Sequence, residues 1–186
     1  ESGVEFAILR CGWRGYGGGS LNEDTTFRAN AEAAAAAGIE VGAYFFSQAV
    51  SVMEAAEEAV FTAKILSGIS LDLPVYFDWE NIGTEPARTD DTDAHTVTLA
   101  ALEFCRLLST EGYRTGIYTY IPNVYYRYEL NNLQGMEIWM GDPGTAPEFV
   151  YDHEIWQYSF TGSVPGIEGD VDMNVMYIPV DEEAQE

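Results

Sequence analysis

The spacing of apolar residues changes repeatedly along this chain between a period of two and a period of 3.6. Runs such as VEFAILR at 4–10, EVGAYFF at 40–46 and PVYFDW at 74–79 are typical of buried strands, and a segment with helical spacing follows each of them. Strands separated by helices pair in parallel through right-handed crossovers, which gives a doubly wound sheet or a β/α barrel. Long helical segments stop after residue 111, so we expect a barrel-like α/β fold whose irregular closing strands are joined by loops.

The same patterns predict the individual elements. Ser51 with Glu54 forms a capping box ahead of one helix, Asp93 is the expected cap of another, and Gly38 is the expected end of a third. Strands are expected at 4–10, 40–46, 74–79, 114–120, 137–140, 154–159 and 170–177, and helices at 25–37, 51–66, 94–111 and 122–128.

Length and charge limit the classes of protein to which the chain can belong. Its 186 residues suit one domain, expected over 1–180 with an acidic tail at 181–186. A formal charge of −23, from 8 Lys and Arg against 31 Asp and Glu, repels phosphate backbones and argues against nucleic-acid binding. No run reaches the roughly 18 apolar residues that a membrane helix needs.

Known cofactor and metal motifs are not matched. The glycines at 15–19 lack the Lys of a phosphate-binding loop, and the D-x-D-x-N at 170–174 has Val175 where a calcium loop needs glycine. His95 and His153 have no ligand partner at metal spacing and are expected on the surface, whereas Cys11 and Cys105 are expected as buried free thiols. We therefore expect neither a metal nor a cofactor.

Two acids follow the third predicted strand and are the first candidates for catalysis. In the sequence Asp78-Trp79-Glu80 the period of two places both carboxyl groups on one face, about 7 Å apart along the backbone. Like charges at this range raise the pKa of the better-buried group, so one carboxyl can stay protonated and act as a general acid. Two solvated acids that leave a strand would give the same pattern.

Aromatic residues in the predicted strands favour a carbohydrate site, because flat rings stack on the C–H faces of sugars. Alternation along a strand allows only part of them to face one side. Asp172, near the end of the closing strand, is a further acid that could reach the same mouth. The aromatic residues that we assign to substrate binding are Tyr44, Phe46, Tyr118, Trp139 and Trp156.

Five segments, in this order, resemble glycoside hydrolase family 25, the Chalaropsis-type lysozymes of bacteria and their phages. They are GVEFAILRCGWRG at 3–15, AAAAAGIEVGAYFFSQA at 33–49, LPVYFDWE at 73–80, GYRTGIYTY at 112–120 and IWQYSFTGSVPGIEGDVDMN at 155–174. The resemblance implies a β/α-barrel-like fold and cleavage of the β-1,4 bond between N-acetylmuramic acid and N-acetylglucosamine in peptidoglycan. It further implies that Glu80 is the proton donor, Asp78 its electrostatic partner and Asp172 an active-site carboxylate, with Tyr44 and Tyr118 lining the sugar site.

One departure from the family pattern concerns the beginning of the chain. Family members start with a strand that reads roughly D-x-S-x-x-Q-G, and this sequence starts after it, so we expect the first strand to be missing and two sheet edges to be unpaired.

The resemblance also implies a setting for the protein. We expect a monomeric, bacterial or phage-encoded protein that acts on peptidoglycan glycan strands outside the cell or at the cell wall. The alternative is a glycan-binding or structural module that has lost activity.

Overall fold

The computed structural model describes residues 3–83 and 86–178, and in this part the chain forms one eight-stranded sheet with four α-helices. The strands are β1 (Phe6–Arg14), β2 (Leu21–Glu23), β3 (Glu40–Ser47), β4 (Val75–Trp79), β5 (Thr115–Tyr120), β6 (Glu137–Gly141), β7 (Ile155–Gly162) and β8 (Val171–Met176). The helices are α1 (Phe27–Ala36), α2 (Val52–Leu66), α3 (Ala94–Thr110) and α4 (Ile121–Tyr126), with a 3-10 turn at Leu130–Asn132. The acidic tail predicted at 181–186 lies outside the described residues, and the division into domains stays a prediction.

The sheet has the order β2-β1-β3-β4-β5-β6-β7-β8. Six strands run parallel: β1, β3, β4, β5, β6 and β7. At the two ends of the sheet, the short strand β2 is antiparallel to β1 and the last strand β8 is antiparallel to β7. The sheet is curled into an open half-barrel, which confirms the predicted barrel-like α/β class with irregular closing strands. No helix in the described part of the chain has both the length and the apolar character to cross a bilayer.

Helix boundaries follow the predicted caps closely. The hydroxyl of Ser51 accepts a hydrogen bond from the Glu54 amide at 3.2 Å, and the carboxylate of Asp93 accepts one from the Thr96 amide at 2.7 Å. Gly38 has a φ of +77°, a backbone conformation that favours glycine after a helix. Helix α1 differs from the prediction, because it begins at Phe27 and its cap residue Thr26 makes no side-chain cap hydrogen bond.

The first strand also differs from the prediction. It was expected at 4–10, but β1 continues to Arg14 after an irregularity in register between Arg10 and Gly12. The added residues pair with β2, which sequence analysis missed. On the side away from β3, the described pairing of β1 is confined to Gly12, Trp13 and Arg14.

Two apolar layers form on the two faces of the sheet. The larger layer lies between the outer face and helices α1 to α3, and the smaller one is a cluster of aromatic side chains on the inner, concave face. Cys11 and Cys105 belong to the larger layer as buried free thiols, as predicted, and burial raises the pKa of each thiol to about 12. Neither thiol is therefore a nucleophile in the folded protein.

A buried ion pair ties β1 to α2, and its arginine also contacts the loop that contains the glycines at 15–19. The guanidinium of Arg14 donates to the Glu58 carboxylate at 2.7 Å and to the carbonyl of Gly19 at 2.9 Å, and Glu58 also accepts from the Ser47 hydroxyl at 2.6 Å. Arg14 is 4% exposed and Glu58 is fully buried. Burial raises the pKa of Glu58 to about 7, even though Arg14 and Ser47 act to lower it.

Replacing Arg14 by Met should lower the free energy of unfolding by about 3 kcal/mol at pH about 8, because Glu58 is left buried without its cation. The pKa of Glu58 is higher in the folded protein than in the unfolded chain, so ionising this group at high pH lowers the stability of the folded state. At about pH 5 Glu58 is protonated, and the loss of unfolding free energy in Arg14→Met should therefore be much smaller. Urea unfolding at both pH values measures this.

The matched control for this test is Arg106→Met, which breaks the exposed pair with Glu103 on α3 and should change stability little. Equal losses at the two pH values in Arg14→Met would show that Glu58 does not titrate as described.

Candidate active site

The site is built at the carboxyl end of β4, one of the two middle strands of the sheet. All five residues of β4 are buried, and alternation puts Tyr76 and Asp78 on the inner face while Phe77 and Trp79 point into the layer under the helices. Asp78 is 4% exposed, and Glu80 follows the strand end and is partly exposed. An acid on a strand that is buried on both faces is the most unusual feature of this element.

The carboxyl groups of Asp78 and Glu80 act on each other. Burial raises the pKa of Asp78 well above its usual range, and the charge of Glu80 raises it further. Burial also raises the pKa of Glu80, although a hydrogen bond with Asp78 partly opposes this. Burial and the repulsion between the two charges therefore both favour protonation of the pair.

Asp172 on β8 completes an acidic triad with this pair. Its charge raises the pKa of Glu80, and its own pKa is raised by partial burial. Burial is the main cause that raises the pKa of the phenols of Tyr44 and Tyr118, and the charges of all three acids raise each of them further. Residues from β3, β4, β5 and β8 thus meet at one place.

An aromatic cluster on the inner face lies against these acids, with Trp139 at its centre. The ring centroid of Trp139 is 4.7 Å from that of Tyr118, 5.5 Å from that of Tyr76 and 5.9 Å from that of Tyr44, all in edge-to-face contacts. Edge-to-face packing leaves little freedom for the rings, so the cluster is a rigid floor for the site.

Two amide side chains that sequence analysis missed fix this cluster. The Tyr118 hydroxyl donates to Gln157 Oε1 at 2.7 Å, and the Trp139 indole donates to Asn174 Oδ1 at 2.8 Å. Asn174 in turn donates to the backbone carbonyl of Asp172 at 3.2 Å. Strand alternation was the one available signal, because Gln157 follows Ile155 at a spacing of two and Ile155 belongs to the inner cluster.

A cleft opens beside the cluster between β1 and β8. It has a volume of about 700 Å³, and among its lining residues are Tyr44, Trp139, Asp172 and Asn174 together with inner-face residues of β1. This volume is in the range of small-molecule and saccharide sites. Tyr44, Trp139 and Asp172 are therefore all accessible from the same cleft.

The other two predicted aromatic residues lie in different surroundings. Phe46 pairs in register with Asp78 across β3 and β4, so it shares the inner face at the height of the acids. Trp156 is not in the inner cluster. Its indole donates to the carbonyl of Asp142 at 2.7 Å, and its ring packs against Tyr158 at 5.7 Å. Trp156 therefore lies outside the inner cluster but next to Tyr158, which lines the cleft, and its role in substrate binding stays a prediction.

The histidines give no ligand set. His95 is exposed beside Glu129, as predicted, whereas His153 is partly buried between the rings of Phe149 and Tyr177. Within residues 3–83 and 86–178, no three His, Cys, Asp or Glu side chains are grouped so that they could hold a metal ion.

Replacing Gly141 by Ala should disturb the floor of the site. A Cβ at this position would lie 2.6 Å from the Tyr118 hydroxyl and 3.3 Å from Gln157 Oε1, so their hydrogen bond must break or shift. We expect a loss of about 1–3 kcal/mol in the free energy of unfolding, measured in urea, because a well-packed site accepts an extra methyl group poorly.

Gly144→Ala is the control for this substitution, since a Cβ there meets its nearest neighbour, the Ala146 carbonyl, at an ordinary 3.5 Å. If both variants are equally stable, the contact of Gly141 with Tyr118 does not constrain the site.

Comparison with known proteins finds related sequences. The sequence model of Glycosyl hydrolases family 25 matches residues 1–167. The autolytic lysozyme of Clostridium acetobutylicum is 27% identical over 176 residues, which cover 94% of this chain and 49% of that protein. The chain thus spans about half the length of this curated relative.

Solved structures show the same fold. The modular autolysin LytC from Streptococcus pneumoniae superimposes with a TM-score of 0.79 at 24% identity, covering 94% of this chain and 41% of that one. A family 25 glycosyl hydrolase from Bacillus anthracis superimposes with a TM-score of 0.71 at 22% identity, covering 96% and 80%. With residues 1–167 matched by the family model, this chain belongs to glycosyl hydrolase family 25.

Proposed function

We propose that this chain is a lysozyme-type enzyme that hydrolyses peptidoglycan at the β-1,4 bond between N-acetylmuramic acid and N-acetylglucosamine. The observation that carries the proposal is the pair of interacting carboxyls of Asp78 and Glu80. Asp172, whose charge acts on Glu80, lines a cleft together with Tyr44 and Trp139. Hydrolysis of an acetal needs a protonated acid at the leaving oxygen and negative charge near the developing cation. Membership of the family supports the same reaction class.

Glu80 is the proton donor in this proposal. It is the more exposed member of the pair, so its carboxyl can approach a glycosidic oxygen, whereas Asp78 is almost completely buried. Burial and the charge of Asp172 raise the pKa of Glu80, which favours the protonated form that a proton donor needs. Asp78 shares its proton with Glu80 and keeps the Glu80 carboxyl in place. Asp172 stabilises positive charge on the sugar or orients the N-acetyl group of the sugar.

The aromatic residues bind the glycan. Tyr44 and Trp139 line the cleft, and Tyr118 packs against Trp139 close to the acids. Phe46 extends this surface on β3 beside Asp78. Such rings stack on sugar faces, and the few phenol and indole groups orient the chain of sugars.

The substrate sets the place of action, because peptidoglycan lies outside the cytoplasmic membrane. We therefore propose a cell-wall or extracellular location and a bacterial or phage origin. The Clostridium acetobutylicum relative carries the name autolytic lysozyme, which supports this assignment. We further propose that the chain acts as a monomer and needs no cofactor.

Glu80→Gln should lower kcat on Gram-positive cell walls by about 10²-fold or more while leaving the fold intact, because the amide cannot donate the proton. Release of reducing ends measures cleavage, and a pull-down with insoluble walls measures binding. Glu32→Gln on the exposed face of α1 is the matched control and should retain full activity.

Unchanged activity in Glu80→Gln would remove Glu80 from the mechanism. If the unsubstituted protein binds walls but releases no reducing ends, the second candidate function, a glycan-binding module without activity, replaces the first.

Asp172→Asn should move the alkaline limb of the kcat/KM profile to lower pH. The charge of Asp172 raises the pKa of Glu80, so its removal makes Glu80 lose its proton earlier as the pH rises. Profiles recorded from about pH 4 to about pH 9 measure the limb. Asp152→Asn, an exposed acid that does not line the cleft, is the control, and an equal shift in both variants would show a general charge effect.

A further inference from the structure

Two buried amide side chains hold the backbone that carries the acids. The side-chain nitrogen of Gln48 donates to the carbonyl oxygen of Glu80 at 2.7 Å, and that of Asn123 donates to the carbonyl oxygen of Trp79 at 2.8 Å. Gln48 is fully buried and Asn123 is 2% exposed. Hydrogen bonds from buried amides such as these are costly to lose, because a buried carbonyl would be left without a partner.

These contacts lie where the sheet stops supporting β4. Pairing with β3 ends at Trp79, and pairing with β5 ends at Asp78. Gln48 directly follows β3, and Asn123 lies in α4, which directly follows β5. Beyond the ends of β3 and β5, the side chains of Gln48 and Asn123 therefore supply the hydrogen bonds to β4 that the strands no longer make.

Gln48 is itself fixed from the other side. Its second side-chain hydrogen is donated to the carbonyl of Ser47 at 2.9 Å, and its own backbone carbonyl accepts a hydrogen bond from Arg88. Arg88 also forms an ion pair with Glu54 on α2 at 2.7 Å. A continuous set of contacts thus runs from the first turn of α2 through Arg88 and Gln48 to the backbone of Glu80.

We propose that Gln48, together with Asn123 on the opposite side of β4, is a positioning residue that fixes the backbone of Trp79 and Glu80 and thereby holds the Glu80 carboxyl against Asp78. This inference rests on the proposed function of Glu80 as the proton donor. Neither amide touches the substrate. Both act through the position of Glu80, where a displacement of about 1 Å can cost about 10²-fold in rate.

Gln48→Met tests the proposal, because it keeps an unbranched side chain of similar length and removes both donors. We expect kcat to fall about 10-fold or more with KM changed less than about 2-fold, since the sugar-binding rings are untouched. Gln134→Met, in an exposed position before β6, is the matched control and should behave like the unsubstituted protein. Near-ultraviolet circular dichroism checks that each variant is folded.

A second measurement does not depend on activity. Titration of the Glu80 side-chain carboxyl followed by carbon NMR should show a lower pKa in Gln48→Met, because a Glu80 released toward solvent loses the burial that raises its pKa. An unmoved titration in a folded Gln48→Met overturns the positioning role, as does a fall in kcat with an unchanged alkaline limb. If Gln48→Met does not fold, Asn123→Leu is subjected to the same two measurements and the same criteria.

The two proposals fail in different ways. An unsubstituted protein that releases no reducing ends contradicts the proposed function, while the NMR titration of Glu80 still decides the role of Gln48. Normal activity with a titration unmoved by the substitution contradicts the positioning role alone.

Discussion

Keeping a carboxyl group on a strand that is buried on both faces is the constraint on which the site depends. An isolated ionised carboxylate in such a place is very costly, so burial favours the protonated form of Asp78. The charge of Glu80, two residues further, raises the pKa of Asp78 again. The rest of the site follows from this pairing, because the pair works only while the end of β4 holds its conformation.

The curled sheet supplies that support from several directions. Neighbouring strands bring Tyr118 and Tyr44 within range of the acids, and β8 brings Asp172 from the far end of the sheet. The order of strands places β8 six positions from β1, and the curl brings their inner faces together around one cleft. A flat sheet with the same sequence would separate these groups, so the chemistry proposed here requires the curvature.

Much of the fold could be predicted from the sequence, because its signals are local. Ser51 and Asp93 cap their helices through side chains a few residues away, and the apolar run ending in Trp79 is buried along its whole length. Strand β2 could not be predicted. It has three residues, and its pairing with the end of β1 depends on a register irregularity that no periodicity records.

The site was predictable in part for the same reason. Asp78 and Glu80 are separated by the strand period, so their shared side could be inferred, and so could the inner position of Tyr118. Gln157, Asn174, Gln48 and Asn123 were missed because amides that bond to distant partners leave no pattern in the chain. For Trp156, aromatic character alone did not say that its ring would pack against Tyr158 outside the inner cluster.

The two buried thiols have a practical consequence. Cys11 lies in β1 at one side of the sheet and Cys105 lies on α3 behind β5, and each is protonated and shielded from reagents in the native state. A thiol of this kind is alkylated only when its own segment opens. The rate at which each cysteine is alkylated in the native protein therefore reports how often its segment opens. Comparing the two rates shows whether β1 or α3 opens more readily, without any engineered label.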